Sequence, residues 1–196
     1  NATTYRDAED AFSAILQATP ATLGRLKTHE YPDISARRDE NELAERTTLL
    51  EAMHLSSRWD GIASEWVTYL SKVFNLGYPT LTKVFTTTRN INIAVVHTFL
   101  TLLSRSPDTF LARKVGLKET PFIEDAVQIG LERTRWVSKA AERALALKGL
   151  LTHEGSKAIE SLDTQLRTQG SGISPGTTAD LTGASLFVAL LCGWRF

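Results

Sequence analysis

The sequence predicts an all-α fold of one domain with about seven or eight helices. Three observations predict it. Apolar residues recur at three- and four-residue spacing along most of the chain, no segment keeps the strict alternation of a half-buried strand, and helix caps and breakers punctuate the pattern at regular intervals. At 196 residues the chain has the length of one domain.

Ala8, Ala11, Phe12, Ile15 and Leu16 form the first helical face, which stops at Thr19-Pro20 because a residue before proline is pushed out of the helical region. Residues 20 to 40 read as irregular, with the charge run Arg37-Arg38-Asp39-Glu40 at their end. Asp39 or Asn41 is placed to cap a helix carrying Leu43, Leu49, Leu50 and Met53. A longer pattern runs from about Trp59 to Phe85, with Ile62, Trp66, Leu70, Val73 and Phe74 on one face. A kink or break is expected at Gly77-Tyr78-Pro79. The stretch from Ile91 to Leu103 is rich in β-branched residues, yet its length favours a buried helix. Ser106-Pro107 reads as a cap followed by proline at the first helical position. The longest pattern spans about Thr120 to Lys148 and ends at Gly149. Thr152 caps a further helix to about Thr168, Gly170-Ser171-Gly172 punctuates, and a last helix runs from Thr178 to about Cys192.

Composition narrows the chemistry. Lys plus Arg and Asp plus Glu are both 22, for a formal charge of zero, which removes the broad basic field of a nucleic-acid binder. The 42% apolar and 22% charged residues suit a folded domain rather than a disordered one. The single cysteine, Cys192, cannot form an internal disulfide or a cysteine metal cage, so the setting is a reducing one or indifferent to redox, and Cys192 reads as a buried thiol. His29, His54, His97 and His153 have no pair at helical spacing, which argues against a histidine zinc site. Because Leu186 to Trp194 is far shorter than the ~20 apolar residues of a bilayer span, a soluble, cytoplasmic protein is expected.

Two segments carry residue types that a core face alone does not explain. In Pro107-Asp108-Thr109-Phe110-Leu111-Ala112-Arg113-Lys114-Val115-Gly116, an acid and a hydroxyl sit at a helix start and two cations follow one turn later. Thr109 and Arg113 share a face, and Arg113 with Lys114 could hold phosphates, the first as a fork and the second as a point charge. The plainer reading is that the helix dipole favours Asp108 at the start and the cations at the end. In Ser174-Pro175-Gly176-Thr177-Thr178-Ala179-Asp180-Leu181, small residues before a helix let the backbone approach a phosphate. Equally, Thr177-x-x-Asp180 is a capping box. Neither segment is a Walker A loop or a G-x-G-x-x-G turn. Glu30 and Asp33 lie in an irregular loop where acids are commonly solvated. His97 reads as a satisfied core or interface histidine, and Trp59, Trp66, Trp136 and Trp194 as core or interface anchors.

Together, H-T-F-L-T-L-L-S-R-S-P-D-T-F-L-A-R-K-V-G from His97 to Gly116 and S-P-G-T-T-A-D-L-T-G-A-S-L-F-V-A-L-L from Ser174 to Leu191 resemble the triphosphoribosyl-dephospho-coenzyme A synthase family, its archaeal-type branch above all. T-L-L-E-A-M from Thr48 to Met53, Leu23-Gly24, Glu30 and Asp33 stand in plausible register with it. Bacterial members tend to carry Asp-Thr-Asn and Arg-Gly-Gly at the first motif. Here Phe110 replaces the asparagine and Arg113-Lys114-Val115-Gly116 the glycine pair, so the acceptor is left open. The family's proline-glycine segment and Asn-Thr loop are not in these residues, so the chain looks like the C-terminal two-thirds of such a protein.

The resemblance implies a pentosyl transfer in which ATP donates its triphosphoribosyl group, adenine leaves, and a ribose hydroxyl of dephospho-coenzyme A attacks the anomeric carbon. It implies Asp108 and Asp180 as the catalytic carboxylates, and Thr109, Arg113, Lys114, Gly116, Ser174, Gly176, Thr177 and Thr178 as substrate-binding residues. Mg²⁺ is expected to accompany the triphosphate, with no metal ligands assigned, and homo-oligomerisation or association with the missing N-terminal portion is open. A nucleotide-binding or assembly module without transfer activity, and a ribosyl transferase for another acceptor, remain alternatives. A shared site requires the helix starts at Asp108 and Asp180 to open on one cleft.

Overall fold

Ile91–Arg105 is the helix around which the rest is arranged, and its sequence explains why. Asn90 caps it by accepting from the Ile93 N–H at 3.1 Å, and apolar residues then occupy nearly every face, the pattern of a helix surrounded by others. Leu100 and Leu103 pack with Leu111, Val137, Ala141, Ala144, Leu162 and Leu166. Leu102 packs with Val73 and Leu181, and Ala94 with Leu81 and Ala189. One helix thus contributes to all three apolar clusters.

The architecture comes from a computed structural model that describes residues 10, 14, 48–168 and 173–196. Eight α-helices occur among the described residues: α1 (Leu49–Ser56), α2 (Gly61–Val67), α3 (Tyr78–Thr88), α4 (Ile91–Arg105), α5 (Thr109–Gly116), α6 (Ile123–Ala146), α7 (His153–Thr168) and α8 (Gly176–Leu191). A π-turn, Val73–Gly77, precedes α3, and a 3-10 turn, Gly149–Leu151, precedes α7. No sheet forms among them, and the β-branched run in α4 is helical. The fold is all-α, in one domain. No described helix is long and apolar enough to cross a membrane.

Several expectations fall outside the described residues: the helical face built on Ala8 to Leu16, the caps Asp39 and Asn41, and the acids Glu30 and Asp33. Asp10 and Ala14 of that first segment are helical and exposed. The start of α1 is set by Thr48 and Glu51, which form a reciprocal capping box. That contact holds the Glu51 carboxyl below its ordinary value.

Four expected features are corrected. The long pattern from Trp59 to Phe85 is not broken at Gly77-Pro79, where the π-turn passes directly into α3, but eight or nine residues earlier, where Tyr69 and Leu70 both take left-handed backbone (φ 57° and 59°). Buried Glu65 makes this possible: its carboxylate accepts from the Lys72 and Val73 N–H groups at 2.9 and 3.1 Å and caps the segment that restarts there. With the chain redirected, Trp66 and Phe74 are exposed rather than part of one buried face. Second, Ser106 is the C-cap of α4, and α5 starts from Asp108 instead. Third, α8 begins at Gly176, so Thr177 and Asp180 lie inside it and form no capping box. Fourth, Cys192 is exposed, past the end of α8, and its contact with the Tyr78 hydroxyl pushes that phenol's pKa up. His97 is buried as expected, but its Nε2 has no partner.

One seam brings two backbones into contact. A Cβ on Gly116 would overlap the Ala126 carbonyl, and one on Gly130 would overlap the Ala112 carbonyl. Two glycines facing each other's helix at these points let α5 lie directly on α6, and this fixes the direction in which α5 presents its first turn.

Candidate functional site

Three helix starts meet at one place. Asp108, buried, is the N-cap of α5: its Oδ1 accepts from Leu111 N–H at 2.8 Å. Its Oδ2 reaches across to α8 and accepts from both the Thr178 N–H and the Thr178 hydroxyl, each at 2.7 Å. A carboxylate is needed here because three donors converge on two oxygens. Beside it the Thr177 hydroxyl accepts from the Phe110 N–H at 3.2 Å and lies 3.2 Å from the Thr109 hydroxyl. The Thr109 hydroxyl in turn accepts from the Gly61 N–H, the first of α2, at 2.8 Å.

The glycines at this junction are there because nothing larger fits. A Cβ on Gly61 would come within 2.8 Å of Thr177 Cγ2 and 3.1 Å of Thr109 Oγ1. A Cβ on Gly176 would come within 2.6 Å of the Phe110 ring. Gly116, by contrast, is placed at the seam with α6 and owes its identity to packing.

Two cations border the junction. Phe110 projects one turn before Arg113 and Lys114, and both sit against its ring, with Arg113 Cζ 5.2 Å and Lys114 Nζ 4.4 Å from the centroid. The ring therefore gathers two side chains that leave the helix about 100° apart. Arg113 is mostly buried, with 20% of its side chain exposed, and its Nε is shielded from solvent with no partner. Its Nη1 lies 4.0 Å from Oδ2 of Asp60, the N-cap of α2.

The two motifs are thus brought together, 70 residues apart in the chain. Thr109, Arg113, Gly176, Thr177 and Thr178 stand at the junction, and Lys114 flanks it on the Phe110 ring. Ser174 is exposed, in the segment leading into α8. Asp180 is also exposed, one turn into α8, and its side chain makes no hydrogen bond or ion pair to the described residues. The backbone donors that an anion could have used are largely taken, by Asp108, Thr109, Thr177 and Asp60. Arg113 and Lys114 therefore supply the positive charge. Asp60 was not singled out from the sequence, although an acid directly before a glycine and a helical run is a recognisable cap signal.

A second feature borders α8. A cleft of about 750 Å³ opens between α4, α7 and the start of α8, lined mostly by apolar side chains such as Val95, Phe99, Leu162 and Leu186, with Ser174 and Pro175 at one end. Among the described residues no three His, Cys, Asp or Glu side chains are grouped to hold a metal ion.

The model of one protein family, CitG, described as ATP:dephospho-CoA triphosphoribosyl transferase, matches residues 1–195. No curated protein matches the chain, and no solved structure does.

Proposed function

Because the chain belongs to the ATP:dephospho-CoA triphosphoribosyl transferase family, we propose that it moves the triphosphoribosyl group of ATP onto a ribose hydroxyl of dephospho-coenzyme A or a closely related acceptor. The bond from the anomeric carbon to the adenine nitrogen breaks, the acceptor oxygen bonds to that carbon, and adenine leaves with the electron pair and takes up the proton that the hydroxyl gives up. Such a transition state carries positive charge on the ribose and needs its anionic tail held still.

The observation that carries this reading is the Asp108–Thr178 clamp, which joins the two motifs and sets Arg113 and Lys114 beside the joint. In this reading Arg113 and Lys114 hold the triphosphate. Thr109, Gly176, Thr177 and Thr178 shape the surface against which it rests, with Ser174 at the entrance. Asp108 holds the frame, since both its oxygens are already engaged, and Asp180, exposed one turn into α8, offers a carboxylate with free oxygens. Mg²⁺ arrives coordinated by the phosphates, because a triphosphate supplies the oxygen ligands that Mg²⁺ prefers.

The test is adenine release from ATP and Mg²⁺, followed by chromatography, with and without dephospho-coenzyme A. Release that depends on the acceptor, with an acceptor product heavier by one triphosphoribosyl group, is expected. Release without an acceptor would mean hydrolysis instead of transfer. ATP binding without any release would leave a nucleotide-binding module and sink the transferase reading.

A further inference from the structure

Among the carboxylates at the junction, Asp60 differs from the others in what its oxygens do. Asp108 has both oxygens committed to backbone and hydroxyl donors. In Asp60 only Oδ1 is committed, accepting from the Ile62 and Ala63 N–H groups at 2.8 and 3.0 Å. Its Oδ2 accepts no hydrogen bond and lies 4.0 Å from Arg113 Nη1, an ion pair held just outside hydrogen-bond reach. Facing it, Arg113 has a buried Nε without a partner.

A free guanidinium and a free carboxylate at this distance would close into a bidentate contact. Here neither is free to do so: the cap holds Asp60 and the Phe110 ring holds Arg113. The gap leaves an acceptor oxygen and a set of N–H donors open side by side. A bare polyphosphate satisfies the donors but is repelled by Asp60. A neutral sugar satisfies Asp60 but leaves Arg113 unpaired. A ligand with a hydroxyl next to an anionic oxygen satisfies both, and the ribose of a nucleotide triphosphate is such a ligand.

We propose that Asp60 is the residue by which this site distinguishes a ribose-bearing nucleotide from polyphosphate, its Oδ2 accepting a hydrogen bond from a ribose hydroxyl while Arg113 donates to the phosphates. This rests on the reading that the site binds ATP.

Calorimetric titration of the protein with ATP, 2′,3′-dideoxy-ATP and inorganic tripolyphosphate, at matched salt and Mg²⁺, tests it. The wild type is expected to bind ATP about tenfold or more tightly than the dideoxy analogue, the difference a hydrogen bond to a charged group makes. Asp60→Ser retains a capping oxygen and removes only the outward one, so it should bind the two nucleotides alike and tripolyphosphate at least as well as before. Asp60→Asn also keeps the cap but turns a donor outward; it should lose the same preference, and it serves if the serine variant does not fold. A preference for ATP that survives in the folded variants, or a wild type that binds both nucleotides equally, overturns the role of Asp60 and leaves ATP binding standing. A wild type that binds neither nucleotide overturns the ATP reading, and this inference with it.

Discussion

Asp108 and Thr178 are joined by two hydrogen bonds of 2.7 Å, to the backbone N–H and to the hydroxyl of the threonine, in a buried contact between the first turns of α5 and α8. A single carboxylate therefore caps its own helix and anchors another. Its removal strands a buried N–H and a buried hydroxyl on α8 as well as a helix cap on α5. Asp108→Ala is expected to destabilise the domain by about 3–5 kcal/mol, combining one lost cap with two unpaired donors. Asp108→Asn, which keeps one acceptor oxygen, should lose about half of that. Urea unfolding of the three proteins measures both, and a loss below about 1 kcal/mol for the alanine variant would mean the contact does not hold the two helices.

Arg113 is expected to matter for binding far more than for folding. Its only ion pair within the described residues is the loose one to Asp60. Arg113→Ala should weaken ATP binding by about 1.5–3 kcal/mol, the range for hydrogen bonds to charged groups. Its stability should change by much less, and titration alongside a thermal melt separates the two. Unchanged affinity would remove Arg113 from the site.

Gly116 separates packing from ligand contact. A methyl group there meets the Ala126 carbonyl, part of a helix backbone and not the tip of a side chain that can swing away. Gly116→Ala is expected to cost about 1–3 kcal/mol of stability, as overpacking does. ATP affinity of the folded protein should stay within a few-fold of wild type. A stable variant with lost affinity would instead place Gly116 against the ligand.

Burial holds His97 below its ordinary value of 6.5, with the Lys148 backbone partly opposing the shift. The folded state thus binds a proton less readily than the unfolded chain. The stability that comes from keeping the ring neutral is complete above about pH 6.5 and is lost as the pH falls through and below that value, at no more than about 1.4 kcal/mol per pH unit. Unfolding at pH 7.5 and 5.5 should show a steeper acid loss in wild type than in His97→Gln. Equal slopes would show that another group carries the acid sensitivity.

Helix type and order were legible because apolar spacing is a local signal. The β-branched run in α4 was resolved by its length, and Thr152 was recognisable as a cap for α7. The break at Tyr69 and Leu70 was not legible, since neither residue favours left-handed backbone and its cause is the Glu65 carboxylate reaching seven and eight residues ahead. The site divides in the same way. Asp108, Arg113 and the Thr177–Thr178 pair stood out by type and position. Their partners did not: Thr177 in an apparent capping box serves instead the start of a helix 67 residues away. Asp60 escaped notice because one acid before one glycine is a common pairing, and only the fold puts its outward oxygen near Arg113.

The hydrogen bonds that build the junction span 48, 67, 68 and 70 residues of chain. Links of such separation form late, because a long loop must be closed before they repay its entropy. During synthesis, α2 and α5 leave the ribosome well before residues 176–178 do, so a growing chain carries Arg113 and Asp60 without the surface that completes their setting. The junction is complete only when α8 arrives, so any ligand that needs all three helix starts meets its full site on the finished chain and not on the nascent one.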